Sequence, residues 1–561
     1  MAERAAKTVG KTFFSGVLLL TLSTVSVKVI GLLYKIPMLA YLGAEGMGYF
    51  NSAYEVYALF CVIATAGLPV ALSVLISSAI AKGERNRVTG IYRTSLLLFL
   101  GIGILGSLVM LLLARRFCGW IKSDGAYACM LTIAPTVLLG CIASALRGYF
   151  QGHQRMLPTA LSQLLEALGK LIFGLLLARY ALYSGYDTPA VAAFAGLGLT
   201  LGMLLSVLYL ALEKLRFDRA GKTERIEADA HPRVRTGEES YRILRDLGRL
   251  SVPMTLGASL VSLTKLVDMT MILRRLQAIG FTEVMANEAY GSYTTLALSV
   301  YALLPSLINS IALPLVPMLS AAIAEGNLER QEQMVGISYR LTVFLAMPAS
   351  LSLAVYAEPI LRLLFSGEET AVAISAPLLS GLGASVLLSC MITATNSVLH
   401  AYQRVNRPIL SMLAGALLKI LTSYLLIGLP TVALAGAPIS TFVCNAAVLL
   451  LNFHFAASLC RAPSPVPLFG RPLLASALSV GVSYGAYTLL LRFSPPSALL
   501  TLTALAITAI CYLLFSCRLG VLEREDALSL PMGERLWRML GRAHLLRRED
   551  REAVLRKESK K

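Results

Sequence analysis

Apolar runs close to 20 residues long recur along almost the whole of this sequence, and they leave few folds open to it. A run of that length crosses about 30 Å of hydrocarbon as an α-helix, and a helix satisfies its own backbone hydrogen bonds where water is absent. Fourteen runs are read, at roughly 12–34, 47–80, 90–114, 126–148, 157–182, 188–212, 247–273, 286–322, 337–357, 371–398, 408–429, 432–458, 472–491 and 497–517. Composition supports this reading. Hydrophobic residues make up 56% of the 561 and charged residues only 15%, where a soluble domain carries about 25% charged. Mean hydropathy is +0.70. The expected fold is all-α and polytopic, and a soluble enzyme, a disordered chain or a nucleic-acid binder is excluded. The second and eighth runs are too long for one straight crossing. Pro69 and Pro314 interrupt them, which predicts a kink or an amphipathic extension at each.

An even number of crossings puts both termini on one side. In and beside the segments on that side lie 37 of the 50 Lys and Arg, against eight on the other. The long connection and the tail dominate this bias, and the short connections after the second and fourth runs agree with it. Both termini are therefore expected to be cytoplasmic, in a multi-pass protein of the cell membrane. The net charge of +18 then reflects basic cytoplasmic loops beside anionic lipid. Nine Cys are scattered singly without a CxxC pair, and five His show no ligand spacing. Neither a disulfide framework nor a metal site is indicated, and no cofactor is expected. Lys28 in the first run and the lack of a clear small-residue cleavage site argue against a cleaved signal peptide.

Two motifs recur in the same order. Ser77-Ser-Ala-Ile-Ala-Lys-Gly83 is matched by Ser320-Ala-Ala-Ile-Ala-Glu-Gly326, 243 residues on. Gln154-Arg155…Pro158…Ala167-Leu168-Gly169-Lys170 is matched by Gln403-Arg404…Pro408…Ala416-Leu417-Leu418-Lys419, 249–250 residues on. Six runs separate the members of each pair, so the repeat is parallel. The expected organisation is an N-lobe over 1–212, a polar cytoplasmic linker over 213–246 with a flexible core, a C-lobe over 247–458, two further helices within 459–517, and a basic cytoplasmic tail over 518–561. In the tail, Leu536, Met539, Leu540 and Ala543 form an apolar stripe beside Trp537, and Arg535, Arg538, Arg542, Arg547 and Arg548 supply charge. That pattern predicts a helix on the membrane surface.

Charges inside the apolar runs are the best functional signal. Lys28, Lys35, Lys170, Lys265 and Lys419 lie there with Glu55, Glu166 and Asp268. Each costs roughly 2.5–3.5 kcal/mol at a helix centre, which disfavours facing lipid. Snorkelling is one alternative, best suited to Lys35 near a run end. Internal pairing is another: Glu166 and Lys170 are four residues apart, and Lys265 and Asp268 three. Lys28 and Lys419 have no acid nearby in sequence. The placement predicts a cationic cavity and an anionic substrate, with phosphate and pyrophosphate head groups the common membrane-borne anions. Gly31 in the first run and Pro37 at its outer end would let that helix bend. None of the eight Asp forms a DxD pair, and no large catalytic loop is present, which argues against a glycosyltransferase.

The parallel repeat, the polar linker and the segment Gly31-Leu-Leu-Tyr-Lys-Ile-Pro37…Leu42-Gly43-Ala-Glu-Gly-Met-Gly-Tyr-Phe…Ala64-Thr-Ala-Gly-Leu-Pro69 resemble the polysaccharide-exporter branch of the multidrug/oligosaccharidyl-lipid/polysaccharide flippase superfamily. The nearest likeness is expected among the stage V sporulation protein B group, over about residues 10–520. The resemblance implies 14 transmembrane helices, as two pseudo-symmetric six-helix lobes plus two C-terminal helices. It implies a non-enzymatic, monomeric flippase for an undecaprenyl-pyrophosphate-linked saccharide such as lipid II, working in cell-wall or polysaccharide synthesis. Lys28 and Lys265 stand where relatives use Arg on the first and seventh spans. Asp268 matches one acid of a sodium site in some relatives, but the eleventh span offers Lys419 and no acid. The competing reading is a cation-coupled multidrug exporter of the same fold, for which Glu55, Glu166 and Asp268 are the supports.

Overall fold

The computed structural model describes residues 2–225, 237–312, 315–404, 406–460, 464–493 and 497–521. The expected surface helix within 531–561, Pro314 and all but the first four residues of the expected flexible linker core, 222–235, lie outside the described residues; those four are helical. The regular elements among the described residues are all helices. Helices α1 (Ala2–Thr65), α2 (Leu68–Ala81), α3 (Arg85–Ile121), α4 (Ala126–Ile133), α5 (Pro135–Gly152), α6 (Met156–Tyr183), α7 (Thr188–Arg225), α8 (Gly237–Ala278) and α9 (Glu283–Ser292) come first. A π-helix follows over Tyr293–Ala297. Then come α10 (Leu298–Ala312), α11 (Leu315–Ala324), α12 (Leu328–Val355), α13 (Ala357–Leu364), α14 (Glu369–Ala401), α15 (Asn406–Ile427), α16 (Gly436–Ala457), α17 (Pro465–Leu490) and α18 (Ala498–Leu519).

Among the described residues, 12 helical stretches are long and apolar enough to cross a membrane. Two features account for the difference from fourteen. The first two runs fall on one continuous stretch, Ser23–Ala81. Its backbone breaks at Gly43, whose φ of 66° and ψ of 176° only glycine adopts readily, and again between Thr65 and Leu68. Pro69 stands in the first turn of α2, where its missing N–H costs nothing. The eighth run is divided into α9, the π-helix, α10 and α11, each shorter than a full crossing. Helix also fills both ends of the expected linker, since α7 reaches Arg225 and α8 starts at Gly237.

Two compact units are present, Met1–Thr295 and Leu296–Lys561, so the division falls inside the eighth run and not in the polar connection. The N-terminal unit has a core of Leu72, Ile76, Phe99, Phe150 and Leu247. The C-terminal unit has one of Leu319, Tyr339, Met391 and Val398. Leu97, Leu112, Leu417 and Leu450 are 68–71% exposed. In water each would forgo about 1.5–3 kcal/mol of burial, but against lipid tails nothing is lost. Close packing relies on small residues instead. In the N-terminal unit α6 and α7 meet through Gly169 and Gly202, and a Cβ on Gly169 would lie 2.7 Å from Gly202 Cα.

The repeat is written into the backbone. Gln154 and Gln403 both adopt left-handed φ, 58° and 57°, and Gly83 and Gly326 have φ of 72° and 68°. The chain closes alike after each Gln, with Arg155 N–H on the Phe150 carbonyl and Arg404 N–H on the Leu399 carbonyl, both at 2.9 Å.

Candidate substrate-binding region

In the N-terminal unit α1 runs beside both α8 and α9; at one end the connection between α3 and α4 is clamped to α8 and α9, and at the other the end of α1 is clamped to α8. At one end Ser123 Oγ donates to Asn287 Oδ1 (2.9 Å), Gly125 N–H to Glu283 Oε1 (3.1 Å) and Gln277 Nε2 to the Lys122 carbonyl (2.6 Å). There α9 sits so close to α1 that a Cβ on Gly48 would meet the Asn287 backbone. Nearer the other end, Gly67 N–H donates to Thr255 Oγ1 (3.2 Å). Between the clamps in chain order lie Glu55 on α1, and Lys265 and Asp268 on α8.

The structure gathers most of the predicted charges here. Lys35, Glu55 and Lys265 lie within reach of one another's charge, Asp268 is within reach of Glu55, and Lys170 is within reach of Lys35. Lys35 Nζ donates to the Thr294 carbonyl (3.3 Å) in the π-helix. Asn51 Nδ2 donates to the hydroxyls of Thr294 and Thr295, both at 2.9 Å. Such wide turns concentrate at functional sites. Lys265 is exposed, while Glu55 and Asp268 are half-buried. Lys28 is exposed on α1. At Gly31 that helix is continuous with open space beside it, and Pro37 is also inside it.

Lys170 sits in an aromatic cage. Its Nζ is 4.8 Å from the ring centre of Tyr34, 5.0 Å from Tyr54 and 5.7 Å from Phe50. Cation–π attraction of about 0.5–2 kcal/mol stabilises an ammonium so placed. Glu166 forms its ion pair with Arg147 of α5, at 2.8 Å, and not with Lys170 one turn away. Arg147 Nε also donates to Ser162 Oγ (2.9 Å), and Nη2 to Ser206 Oγ (3.1 Å). Arg147, Asn51 and the three rings were missed in the sequence. The repeat held one signal for Arg147: it stands seven residues before Gln154, as Asn396 stands seven before Gln403.

In the C-terminal unit Lys419 occupies α15 at the place Lys170 takes on α6. It lies within charge reach of Tyr301, whose hydroxyl accepts from Asn445 Nδ2 (3.3 Å). Asn396 Oδ1 accepts from Asn452 Nδ2 at 2.8 Å.

Residues 13–323, more than half of the chain, match the family model described as polysaccharide biosynthesis protein, and residues 289–425 match MatE. Stage V sporulation protein B of Bacillus subtilis (strain 168) is 25% identical over 79% of this chain and 83% of its own. Lipid II flippase MurJ of the same organism is 25% identical over 78% and 81%. The two identities are equal, so the likeness expected to favour the sporulation protein does not single it out. A solved structure of lipid II flippase MurJ in an inward closed conformation superposes with a TM-score of 0.67 at 14% identity, over 89% of this chain and 98% of that one, which is a likeness of fold.

Proposed function

The chain belongs to the polysaccharide biosynthesis protein family, within the superfamily of membrane transporters that holds both MATE exporters and lipid II flippases, and from that premise we propose that it flips an anionic lipid-linked saccharide across the cell membrane. It is a multi-pass transport protein and not an enzyme. The observation that carries the proposal is the surplus of cation in the N-terminal unit. Lys35, Lys170 and Lys265 share one region with Glu55 and Asp268, while Glu166 is already neutralised by Arg147. A pyrophosphate there replaces its lost hydration with ammonium groups held in a medium that screens poorly. The prenyl tail stays in lipid and the saccharide follows the head group. Alternating access, through fourteen crossings with cytoplasmic termini, completes this reading.

A second reading has one support, the MatE match over 289–425 together with the acids Glu55 and Asp268. It makes the protein a cation-coupled exporter of organic cations. One assay decides between them. In proteoliposomes the wild type should translocate fluorescent lipid II, and Lys35→Gln with Lys265→Gln should reduce the rate by about 10-fold or more, a loss of at least about 1.4 kcal/mol. Translocation of ethidium without lipid II would sink the flippase reading.

A further inference from the structure

Glu166 and Lys170 are spaced to pair with each other. They stand four residues apart on α6, the separation at which a helix brings an acid and a base together. The structure shows a different partnership. Glu166 is held by Arg147 from the preceding helix at 2.8 Å, with 16% of the Arg side chain and 28% of the Glu side chain exposed. Ser162 and Ser206 fix the same guanidinium, so Arg147 is anchored on three side chains from α6 and α7. A planar fork tied at three points surrenders little further entropy in holding a carboxylate, which a flexible lysine cannot match. Lys170 is left with the rings of Tyr34, Tyr54 and Phe50, which attract its charge without cancelling it.

We infer that Arg147 is a positioning residue: by holding the Glu166 carboxylate it keeps that acid off Lys170, and so leaves the caged Lys170 ammonium available to a phosphate group of the substrate. The inference rests on the anionic-substrate reading above. A second observation supports it independently. At the spacing of 249 that relates Lys170 to Lys419, Arg147 corresponds to Asn396 and Glu166 to Gly415. Where the acid is missing the arginine is missing too, and the lysine remains. Arg147 and Glu166 thus behave as a unit, present together or absent together, beside a lysine that is present in both halves. Removing Arg147 alone leaves a partly buried carboxylate one turn from Lys170, and desolvation drives the two into contact. The site then loses the cation it offers to phosphate.

The test uses the full chain in detergent, with undecaprenyl pyrophosphate as probe and affinity read by native mass spectrometry. R147Q and K170Q should each weaken binding by about 10-fold or more, and R147Q/E166Q should return to within about threefold of wild type. Rescue by loss of a second charge is not the mark of a merely structural arginine. A double variant as weak as R147Q overturns the inference, as does R147Q binding like wild type. Weak binding by K170Q in the same series would keep the anionic-substrate reading standing. Wild-type binding by K170Q would overturn the inference alone, and failure of the wild type itself to bind the probe would overturn the anionic-substrate reading. If R147Q alone fails to elute as a single species, the double variant, which leaves no unpaired charge, decides.

Discussion

Asn51 joins the second arm of α1 to the π-helix through one amide. Its Nδ2 reaches two threonine hydroxyls at 2.9 Å, and the residue is buried. Thr294 Oγ1 still donates to the Tyr290 carbonyl at 2.7 Å when that amide is gone. The loss in Asn51→Ala is therefore that of two neutral bonds, about 1–3 kcal/mol. The thermal midpoint in detergent should fall while expression holds; an unchanged midpoint would show that water replaces the amide. At this scale the sequence was legible where a residue contradicted its surroundings. Lys35, Lys170 and Lys265 are conspicuous because each is a charge in an apolar run, and the fold brings them into one region. Arg147 was not conspicuous. It stands at the end of its run, where an arginine is expected to reach for water, so its bond to Glu166 from another helix could not be read. Asn51 was hidden for the same kind of reason: an amide is a small departure in a helix, and its partners are more than 240 residues away.

Helix α1 shows how one element can carry two glycines with opposite physics. Gly43 has φ 66° and ψ 176°, where a Cβ is strained even though nothing lies within 4 Å of it. Gly43→Ala should cost about 1–3 kcal/mol through backbone strain alone. Gly31 is helical and also faces open space. Gly31→Ala should gain up to about 1 kcal/mol of helix propensity, and close packing does not account for this glycine. Thermal midpoints of the two variants should therefore move in opposite directions. If the helix bends at Gly31 during transport, the stabilised variant flips substrate more slowly, and an unaltered rate would place bending elsewhere. Sequence alone located both glycines but not the break, since φ is decided by how the two arms pack. The break at Pro69 was legible, because proline is confined to the first turn of a helix whatever surrounds it. The π-helix was not, because nothing in Tyr293-Thr-Thr-Leu-Ala297 distinguishes it from an ordinary apolar turn.

At the scale of the whole molecule two pairs of matching turns were legible in the sequence, and the boundary between the compact units was not. Two short motifs predicted the repeat; the first ends in a left-handed Gly in both copies, and the second begins with a left-handed Gln in both copies. The division into compact units falls at 295, at the two threonines that Asn51 holds, while the eye is drawn to the polar linker over 213–246. Polarity marks where a chain meets water; compactness depends on which helices pack, and α8 and α9 pack with α1. That packing makes a mechanistic test possible within one unit. If the protein works by alternating access, as proposed above, each end of the region opens in turn, and the clamp between Ser123 and Asn287 releases in every cycle. Both side chains are fully buried and touch at 2.9 Å. A cysteine at each position, with the nine native cysteines replaced, should form a disulfide on oxidation if the local geometry allows the usual Cβ separation of about 3.5–4.5 Å. Oxidised protein should bind lipid-linked saccharide from one side only and translocate none. Reduction should restore the rate, which separates a blocked clamp from a damaged fold. Unchanged translocation in a fully cross-linked sample would mean that the clamp stays shut throughout, and that the substrate leaves by a path which does not part α3 and α4 from α9.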